Sequence, residues 1–281
     1  MSRTNLLNNW RKFSANEIVN KFTKMYPNEG SRSSLLSLFK SELRSSDDPP
    51  PKKYIDSLML DPSIYDKINK SYAEKKHTEG YNVKYIANIH DSVYAAFRAI
   101  KSNQVPELWP AVVLCSGFRP IEILTADFSR RTYDPTTPHN DFYINVSNLA
   151  KKRGSEPDIV RAHPLLCPAD LWLRAVDLIR AELPLGQNNV KTRQKHGYKF
   201  IKWDRRLFPL IPQVTNSLLR RIYASYAYYV YRGDFRGNVD RLTFIKDVLG
   251  HSSISSSAVY NLVEFDTTQI IDVFTYFSKK R

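Results

Sequence analysis

Apolar residues recur at steps of three and four along most of this chain, and this period constrains its fold more than any other feature. The clearest case is the series Ile86, Ile89, Val93, Phe97 and Ile100. Such spacing places apolar side chains on one face of an α-helix. We therefore expect a helix from about residue 83 and a chain that folds mainly as packed helices.

A period of two appears once, where Phe142, Ile144 and Val146 alternate with more polar residues. This alternation is typical of a β-strand with one buried face. A charged turn follows, and Ile159-Val160 is a candidate for the returning strand. The predicted fold class is mainly α with a small antiparallel β-sheet.

The first eighty residues have helical signals and a proline-rich interruption. Ser14 and Glu17 form a capping-box pattern that opens a helix to about Tyr26. A second helix ends near Arg44, and Pro49–Pro51 then forces a loop or linker. Asp61-Pro62 opens a third helix to about Lys76, because Asp is a good N-cap and Pro fits the first helical position.

A polar stretch after Lys76 is a plausible domain joint. We therefore predict a helical, DNA-binding domain over 1–80 and a mixed α+β domain with a C-terminal helix over 81–281. The further helices of the second domain are predicted over Pro106–Leu114 with Pro110 in the first turn, around Leu171–Leu178, from Thr215 or Asn216 to Val230, over Thr243–Leu249 before Gly250, and over Gln269–Phe277.

The net charge of +14 and the isoelectric point near 9.6 indicate a polyanionic partner. Nucleic acid is the leading candidate, and a membrane surface is the second. We expect no membrane span, because no apolar run approaches the required length, and the N-terminus has no signal-peptide pattern. Cys115 and Cys167 lack metal-binding spacing, so two buried free thiols in a reducing, intracellular compartment are expected.

Basic residues concentrate in one segment of the second domain. They are interleaved with His196, Tyr198, Phe200 and Trp203, and they are Lys191, Arg193, Lys195, Lys199, Lys202, Arg205 and Arg206. In a basic chain this pattern favours contact with the DNA backbone, although the aromatic residues fit a core position equally well.

Several residues have types and positions suited to phosphate chemistry. Arg119 lies between a helix that ends at Gly117 and one that begins at Pro120, and Glu122 is close enough to orient it. Lys151 and Lys152 follow the alternating strand, and chemistry alone does not choose between them. Arg220 sits in the first turns of a predicted helix, His251 follows Gly250, and Tyr260 comes nine residues later.

With these residues in this order, residues 81 to about 265 resemble the catalytic domain of the tyrosine recombinase superfamily. Within it they look most like the telomere resolvases, or protelomerases. The stretches that carry the resemblance are Gly117–Ile123, Asn148–Lys151, Arg220–Ser225, Val248–His251 and Tyr260.

The resemblance implies a DNA-breaking and DNA-rejoining enzyme without metal or ATP. By it, Tyr260 is the nucleophile that forms a 3′-phosphotyrosine, and Lys151 is the acid that protonates the leaving oxygen. Arg119, Arg220 and His251 stabilise the charge on the phosphate. The expected substrate contacts are Ser217, Lys152, Arg153, Lys191, Arg193, Lys195, Lys199 and Lys202.

The implied partner is double-stranded DNA, with an inverted-repeat site bound by a dimer, inside a bacterial or phage-host cytoplasm or a nucleus. Ser217 departs from the common pattern, which has histidine three residues before the second arginine. Two alternatives stay open: an integrase or resolvase that exchanges strands between duplexes, and a non-catalytic DNA-binding protein. The resemblance also leaves open whether the C-terminal segment packs on its own domain or on a neighbouring subunit.

Overall fold

The computed structural model describes residues 2–78, 84–134, 137–149, 160–183, 189–232, 234, 239–250 and 263–278. At 72–78 and 189–194 it describes the helical backbone without the side chains. The chain divides into two compact units, Met1–Tyr81 and Asn82–Arg281. The predicted fold class is confirmed, since the described residues are mainly helical with small sheets.

The first unit is helical. Its helices are α1 (Arg3–Asn8), α2 (Ala15–Met25), α3 (Glu29–Arg44), α4 (Lys52–Ser57) and α5 (Pro62–Thr78). They enclose a core of Leu6, Ile18, Phe22, Leu36, Phe39, Leu43, Ile55, Leu58 and Leu60. The three predicted helices are present, whereas α1 and α4 were not predicted because each is only six residues long and shows little periodicity.

Local signals explain where two of these helices begin. The Glu17 amide donates to Ser14 Oγ at 3.3 Å, and the Ser14 amide donates to Glu17 Oε2 at 2.7 Å, so the predicted capping box is present. Asp61 accepts the Ser63 amide at 2.8 Å just before α5. The proline triplet is a loop as predicted, and its last residue, Pro51, directly precedes α4.

The second unit contains the longer helices. They are α6 (Ile89–Ala99), α7 (Val105–Ser116), α8 (Pro120–Thr125), α9 (Ala169–Glu182), α10 (Asn189–Leu207), α11 (Asn216–Tyr231), α12 (Arg241–Leu249) and α13 (Val273–Ser278). Helix α7 packs against α6, α9, α10 and α11 and is buried from Leu108 to Ser116. It is therefore the core element on which the others are arranged.

The sequence predicts Pro110 in the first turn of its helix, but the residue lies in the second turn of α7. The helix begins at Val105, and Pro106 takes the early position that suits proline. Pro110 therefore removes one backbone hydrogen bond from the helix interior. The segment from Leu108 to Ser116 is nevertheless fully buried among the neighbouring helices.

Three strands form an antiparallel sheet in the order β2 (Asp127–Arg130), β3 (Tyr143–Ser147) and β4 (Arg161–Pro164). Strand β3 is the predicted alternating strand. The predicted return strand at Ile159-Val160 is only partly testable, because Ile159 lies outside the described residues. Val160 is 61% exposed and precedes β4, which begins at Arg161 opposite Val146. The apolar character of Val160 misled the prediction.

A second, two-stranded sheet pairs β1 (Lys84–Tyr85) in parallel with β5 (Val263–Glu264). The helix expected from about residue 83 therefore begins only at Ile89, because the preceding residues pair with the C-terminal segment. The residues of the predicted stripe, from Ile86 to Ile100, are nevertheless all buried.

The end of the described chain packs on its own unit. Phe274 stacks on His139 with ring centroids 3.5 Å apart, and Phe277 packs against Phe97. The Ile271 amide donates to the Tyr226 hydroxyl at 2.6 Å. The helix is shorter than predicted, since Thr267–Gln269 is a separate 3₁₀ turn.

Cys115 and Cys167 are free and buried, as predicted. Among the helices that the structure describes, none combines the length and apolar character that crossing a bilayer requires.

Candidate functional site

Arg119 lies at the corner between α7 and α8. Helix α7 ends at Gly117, whose φ of +67° is a left-handed conformation that suits glycine, and α8 begins at Pro120. The Arg119 amide donates to Glu122 Oε2 at 2.7 Å, and its Nη1 donates to Oε1 at 2.5 Å. The Arg119 side chain is 27% exposed, whereas Glu122 is buried. The Arg119 guanidinium is therefore held by the buried carboxylate of Glu122 on one side and is exposed to solvent on the other.

Arg220 approaches the same carboxylate from another element. Thr215 caps α11 by accepting the Leu218 amide at 3.2 Å, and Arg220 follows in the second turn. Its Nη1 lies 3.8 Å from Glu122 Oε2, and the side chain is buried. Arg221 stays partly exposed, as expected for adjacent residues of one helix.

We call Arg119, Glu122 and Arg220 the arginine cluster. Two cations share one anion there, so the cluster keeps a formal charge of +1. A phosphate oxygen is a suitable ligand for such a cluster, because guanidinium groups donate several hydrogen bonds in a fixed plane. The fold thus brings together two of the five predicted catalytic residues.

The other predicted catalytic residues, Lys151, His251 and Tyr260, lie outside the described residues, as do Lys152 and Arg153. Ser217 is exposed in the first turn of α11. Its role as a phosphate ligand stays a prediction.

Sequence reasoning missed a buried pair next to the arginine cluster, formed by His163 of β4 and Tyr223 of α11. His163 Nε2 lies 2.8 Å from the Ser116 carbonyl oxygen and 3.1 Å from the Tyr223 hydroxyl. The pKa of His163 is lowered to about 3, mainly because the ring is buried and secondly because the positive charge of Arg161 is near. The ring is therefore neutral near pH 7. The sequence offers only a weak signal for it, a histidine directly before the apolar residues Pro164, Leu165 and Leu166.

Arg161, two residues before His163, contacts the end of α12. Its Nη1 donates to the Asp247 carbonyl oxygen at 3.3 Å. Gly250 ends that helix with φ of +65°, and a Cβ there would lie 2.4 Å from Arg161 Nη1. Strand β4 thus touches the residue that immediately precedes His251.

Helix α10 carries the predicted basic segment, whose structure the sequence left ambiguous. Lys195, Lys199, Lys202 and Arg206 follow at steps of four, three and four and are all exposed. We call these four residues the basic stripe. Lys191 and Arg193 also belong to α10, in the part whose side chains are not described.

The aromatic residues of α10 mostly face the core. Phe200 stacks on Trp109 with ring centroids 3.7 Å apart, and His196 is buried, whereas Tyr198 is 81% exposed. The open question about these aromatics is therefore answered in favour of packing, with Tyr198 as the exception.

Asp204 lies on the buried side of the same helix. Its Oδ2 accepts a hydrogen bond of 2.6 Å from the side-chain Nδ2 of Asn216, which links α10 to the start of α11. Burial raises the pKa of Asp204 to about 8, so the carboxyl is largely protonated at pH 7. Over the part of the chain that the structure describes, no group of three His, Cys, Asp or Glu side chains is arranged to hold a metal ion.

No protein-family model matches the chain, and no curated protein matches it by sequence. Solved structures do resemble it. Protelomerase TelA covalently complexed with substrate DNA shares 18% identity and a TM-score of 0.73, over 94% of this chain and 83% of that chain. A TelA arginine-to-alanine variant complexed with a DNA hairpin product shares 16% identity and a TM-score of 0.74, over 99% and 86%.

Protelomerase TelK complexed with substrate DNA is similar over 94% of this chain but only 57% of its own, with 18% identity and a TM-score of 0.62. At such identities the likeness concerns the fold. The chain therefore has the same fold as these protelomerases, which is the fold that the resemblance to telomere resolvases implies.

Proposed function

We propose that this chain cleaves and rejoins DNA and resolves replicated telomeres into hairpin ends. The observation that carries the proposal is the convergence of Arg119 and Arg220 on buried Glu122. It occurs in a fold that TelA and TelK share, and those proteins were solved with substrate DNA or hairpin product.

The arginine cluster suits the transition state of phosphodiester cleavage. Negative charge then accumulates on the non-bridging oxygens of the phosphate, and donors that are already oriented stabilise it without reorganisation. Glu122 holds the Arg119 guanidinium by a hydrogen bond and forms an ion pair with Arg220, so both groups are in place before DNA arrives. We assign Arg119 and Arg220 to this role, together with His251.

We assign the nucleophile to Tyr260. Its phenolic oxygen forms a bond to phosphorus while the bond from phosphorus to the 5′-oxygen breaks, which leaves a 3′-phosphotyrosine. Lys151 gives a proton to the departing 5′-oxygen, and His251 accepts the phenolic proton. Resealing reverses these steps with a 5′-hydroxyl as attacking group, so the ester retains the bond energy and no ATP is consumed.

The basic stripe is proposed to contact the DNA backbone. Its four cations stand along one exposed helix face, and the whole chain carries a charge of +14. Such contacts give affinity without sequence specificity. Lys152, Arg153, Lys191 and Arg193 are assigned to the same surface, and Ser217 to the scissile phosphate.

We further propose that two copies act together on an inverted repeat. Such a site has two-fold symmetry, so each copy of a symmetric dimer meets the same half-site and cuts one strand. A hairpin end forms when each 3′-phosphotyrosine is attacked by the 5′-hydroxyl of the complementary strand.

Trapping with nicked duplexes tests this function. In a pool of random inverted repeats with a nick near the centre, cleavage frees the short fragment between the scissile phosphate and the nick. This fragment carries away the 5′-hydroxyl needed for resealing, so covalent protein–DNA adducts accumulate. The wild type is expected to form adducts that resist denaturant, and Tyr260→Phe none. Tyr133→Phe, a change at a 76% exposed tyrosine, is the matched control and should behave as the wild type.

The enriched DNA sequences then serve as unnicked substrates. Hairpin products from one inverted repeat support telomere resolution, whereas exchanged strands between two duplexes would instead identify an integrase or resolvase. Binding of the pool without any adduct from the wild type would leave only a non-catalytic DNA-binding protein.

A further inference from the structure

His163 is a buried polar residue for which the proposed chemistry has no use. It is 1% exposed and sits on β4, between the solvent-facing Ala162 and the buried Pro164. A neutral imidazole at this depth is a hydrogen-bonding group rather than a charge. Burial of such a group costs free energy unless its partners are in place, so its contacts indicate its role.

The first contact is with the end of α7. The Ser116 carbonyl belongs to the last turn, whose carbonyl groups lack partners within the helix. His163 Nε2 lies 2.8 Å from that oxygen, and the Leu166 amide donates to the neighbouring Cys115 carbonyl at 2.8 Å. The β4 segment thus caps the helix that ends three residues before Arg119.

The second contact is with α11. The Tyr223 hydroxyl donates to the Pro164 carbonyl oxygen at 2.6 Å. The Ser116 carbonyl can only accept, so its contact assigns the hydrogen to His163 Nε2, and the Tyr223 oxygen lies 3.1 Å from that nitrogen as a second acceptor. Tyr223 lies one helical turn after Arg220 and therefore on the same side of α11. One imidazole nitrogen thus faces groups from both arginine-bearing segments.

Close packing reinforces these hydrogen bonds. A Cβ on Gly117 would lie 2.1 Å from the Tyr223 ring, so that ring rests directly on the backbone of the α7–α8 corner. The Phe118 ring lies 4.3 Å from the imidazole, measured between centroids. The spacing between the corner and α11 is therefore set by His163 and Tyr223 together.

We infer that His163 is a positioning residue, which fixes the corner that carries Arg119 against the helix that carries Arg220. The inference rests on the proposed function, since the arginine cluster is taken as the phosphate site. In this role the Nε2 hydrogen-bond donor of His163 fixes the distances within the arginine cluster. This effect is separate from the contribution of the imidazole ring to the stability of the fold.

The variants separate position from stability. His163→Phe keeps a ring but removes the donor, His163→Gln restores an amide donor, and Tyr223→Phe removes the second partner. Tyr231→Phe is the matched control: Tyr231 is also buried on α11, and its hydroxyl donates to the Leu165 carbonyl, but it lies three turns beyond Arg220.

Three quantities are measured for each variant: the rate of adduct formation at a saturating concentration of the nicked DNA, the DNA concentration that gives half of this rate, and the melting temperature of the protein. His163→Phe and Tyr223→Phe are expected to slow adduct formation on the order of 10- to 100-fold with little change in half-saturation, because displaced catalytic groups act on the rate. His163→Gln should recover most of the rate. Tyr231→Phe should lower the melting temperature comparably but leave the rate near that of the wild type.

Equal rates for Tyr223→Phe and Tyr231→Phe, or no recovery in His163→Gln relative to His163→Phe, would overturn the positioning role. If His163→Phe does not fold, Tyr223→Phe carries the comparison. If the wild type itself forms no adduct, the proposed cleavage function is wrong, and the role of His163 is then judged from the structures of the variants. Crystal structures then decide: a cluster that keeps its Arg119, Glu122 and Arg220 distances in Tyr223→Phe overturns the inference, and a displaced cluster supports it.

Discussion

The Nη1 atom of Arg220 lies 3.8 Å from Oε2 of Glu122, which makes a buried carboxylate of the α7–α8 corner the electrostatic partner of helix α11. The same carboxylate holds Arg119. This relationship explains how a site for phosphate can be assembled before DNA binds, and it leads to the first prediction.

Glu122→Gln should destabilise the second unit by about 3 kcal/mol, because a neutral amide then replaces the carboxylate that faces the buried Arg220 guanidinium. It should also slow covalent cleavage, since the two arginines then repel each other. Denaturant unfolding measures the first effect. Asp170→Asn is the control, because its ion pair with Arg130 is more than half exposed and should change stability by less than about 1 kcal/mol. Equal losses in both variants would contradict the electrostatic role of Glu122.

Gly117→Ala should destabilise the protein through two effects. A left-handed backbone costs a non-glycine residue about 1–3 kcal/mol, and the new methyl group would collide with the Tyr223 ring at 2.1 Å. Gly197→Ala is the matched change, since that helical glycine has nothing within 4 Å and alanine there should stabilise by about 0.5–1 kcal/mol. Shifts of the same sign in thermal unfolding would contradict this account of the corner.

Stability should fall as the pH rises toward 8 because of Asp204. Burial raises the pKa of this carboxyl to about 8 in the folded state, above its ordinary value of 3.8. Between these values the folded state holds a proton that the unfolded state lacks, so the free energy of unfolding decreases by up to about 1.4 kcal/mol per pH unit. Asp204→Asn should flatten this slope in denaturant titrations between pH 5 and 8.

Asp272→Asn is a control of opposite sign. Hydrogen bonds, first from the Thr275 side chain, lower the pKa of Asp272, so its removal should alter the pH dependence of unfolding only at acidic pH. An unchanged slope in Asp204→Asn would show that this carboxyl is not the source.

The basic stripe should control the salt dependence of DNA binding. Each phosphate contact contributes about 0.9 to the slope of log K against log salt concentration, so Lys195→Gln with Lys199→Gln and Lys202→Gln should reduce the slope by about 2 to 3. Arg130→Gln is the control, because Asp141 and Asp170 already balance that charge. A similar reduction by both would mean that net charge, and not the stripe, sets the affinity.

Local patterns predicted the corner but not its partner. Arg119 and Glu122 lie three residues apart, so their pairing was visible in the sequence. The approach of Arg220 to Glu122 depends on how α11 packs against α7, which no local period encodes. The resemblance already implied Arg220 rather than its neighbour Arg221, but the burial of Arg220 against Glu122 could not be read from the sequence.

His163 shows a second limit. A histidine on a short strand is consistent with many roles, and its partners, Ser116 and Tyr223, are distant in the chain. The pairing of Lys84–Tyr85 with Val263–Glu264 was missed for the same reason, because a two-residue strand has no detectable alternation. By contrast, the helix cap at Ser14 and the turn at Gly250 are set by adjacent residues and were predicted correctly. Of the two caps that the sequence allowed for α11, Thr215 and Asn216, the structure has Thr215.

If the arginine cluster serves a covalent attack by Tyr260, the trapped adduct must carry its DNA on that residue. Peptide mass spectrometry of the adduct decides this, because the chain has 17 tyrosines and the digest identifies the one that carries the nucleotide. We expect DNA linked to Tyr260 in the wild type, and far less adduct when Arg119 or Arg220 is changed to alanine. A nucleotide on any other tyrosine, or adduct formation that does not depend on both arginines, would contradict it.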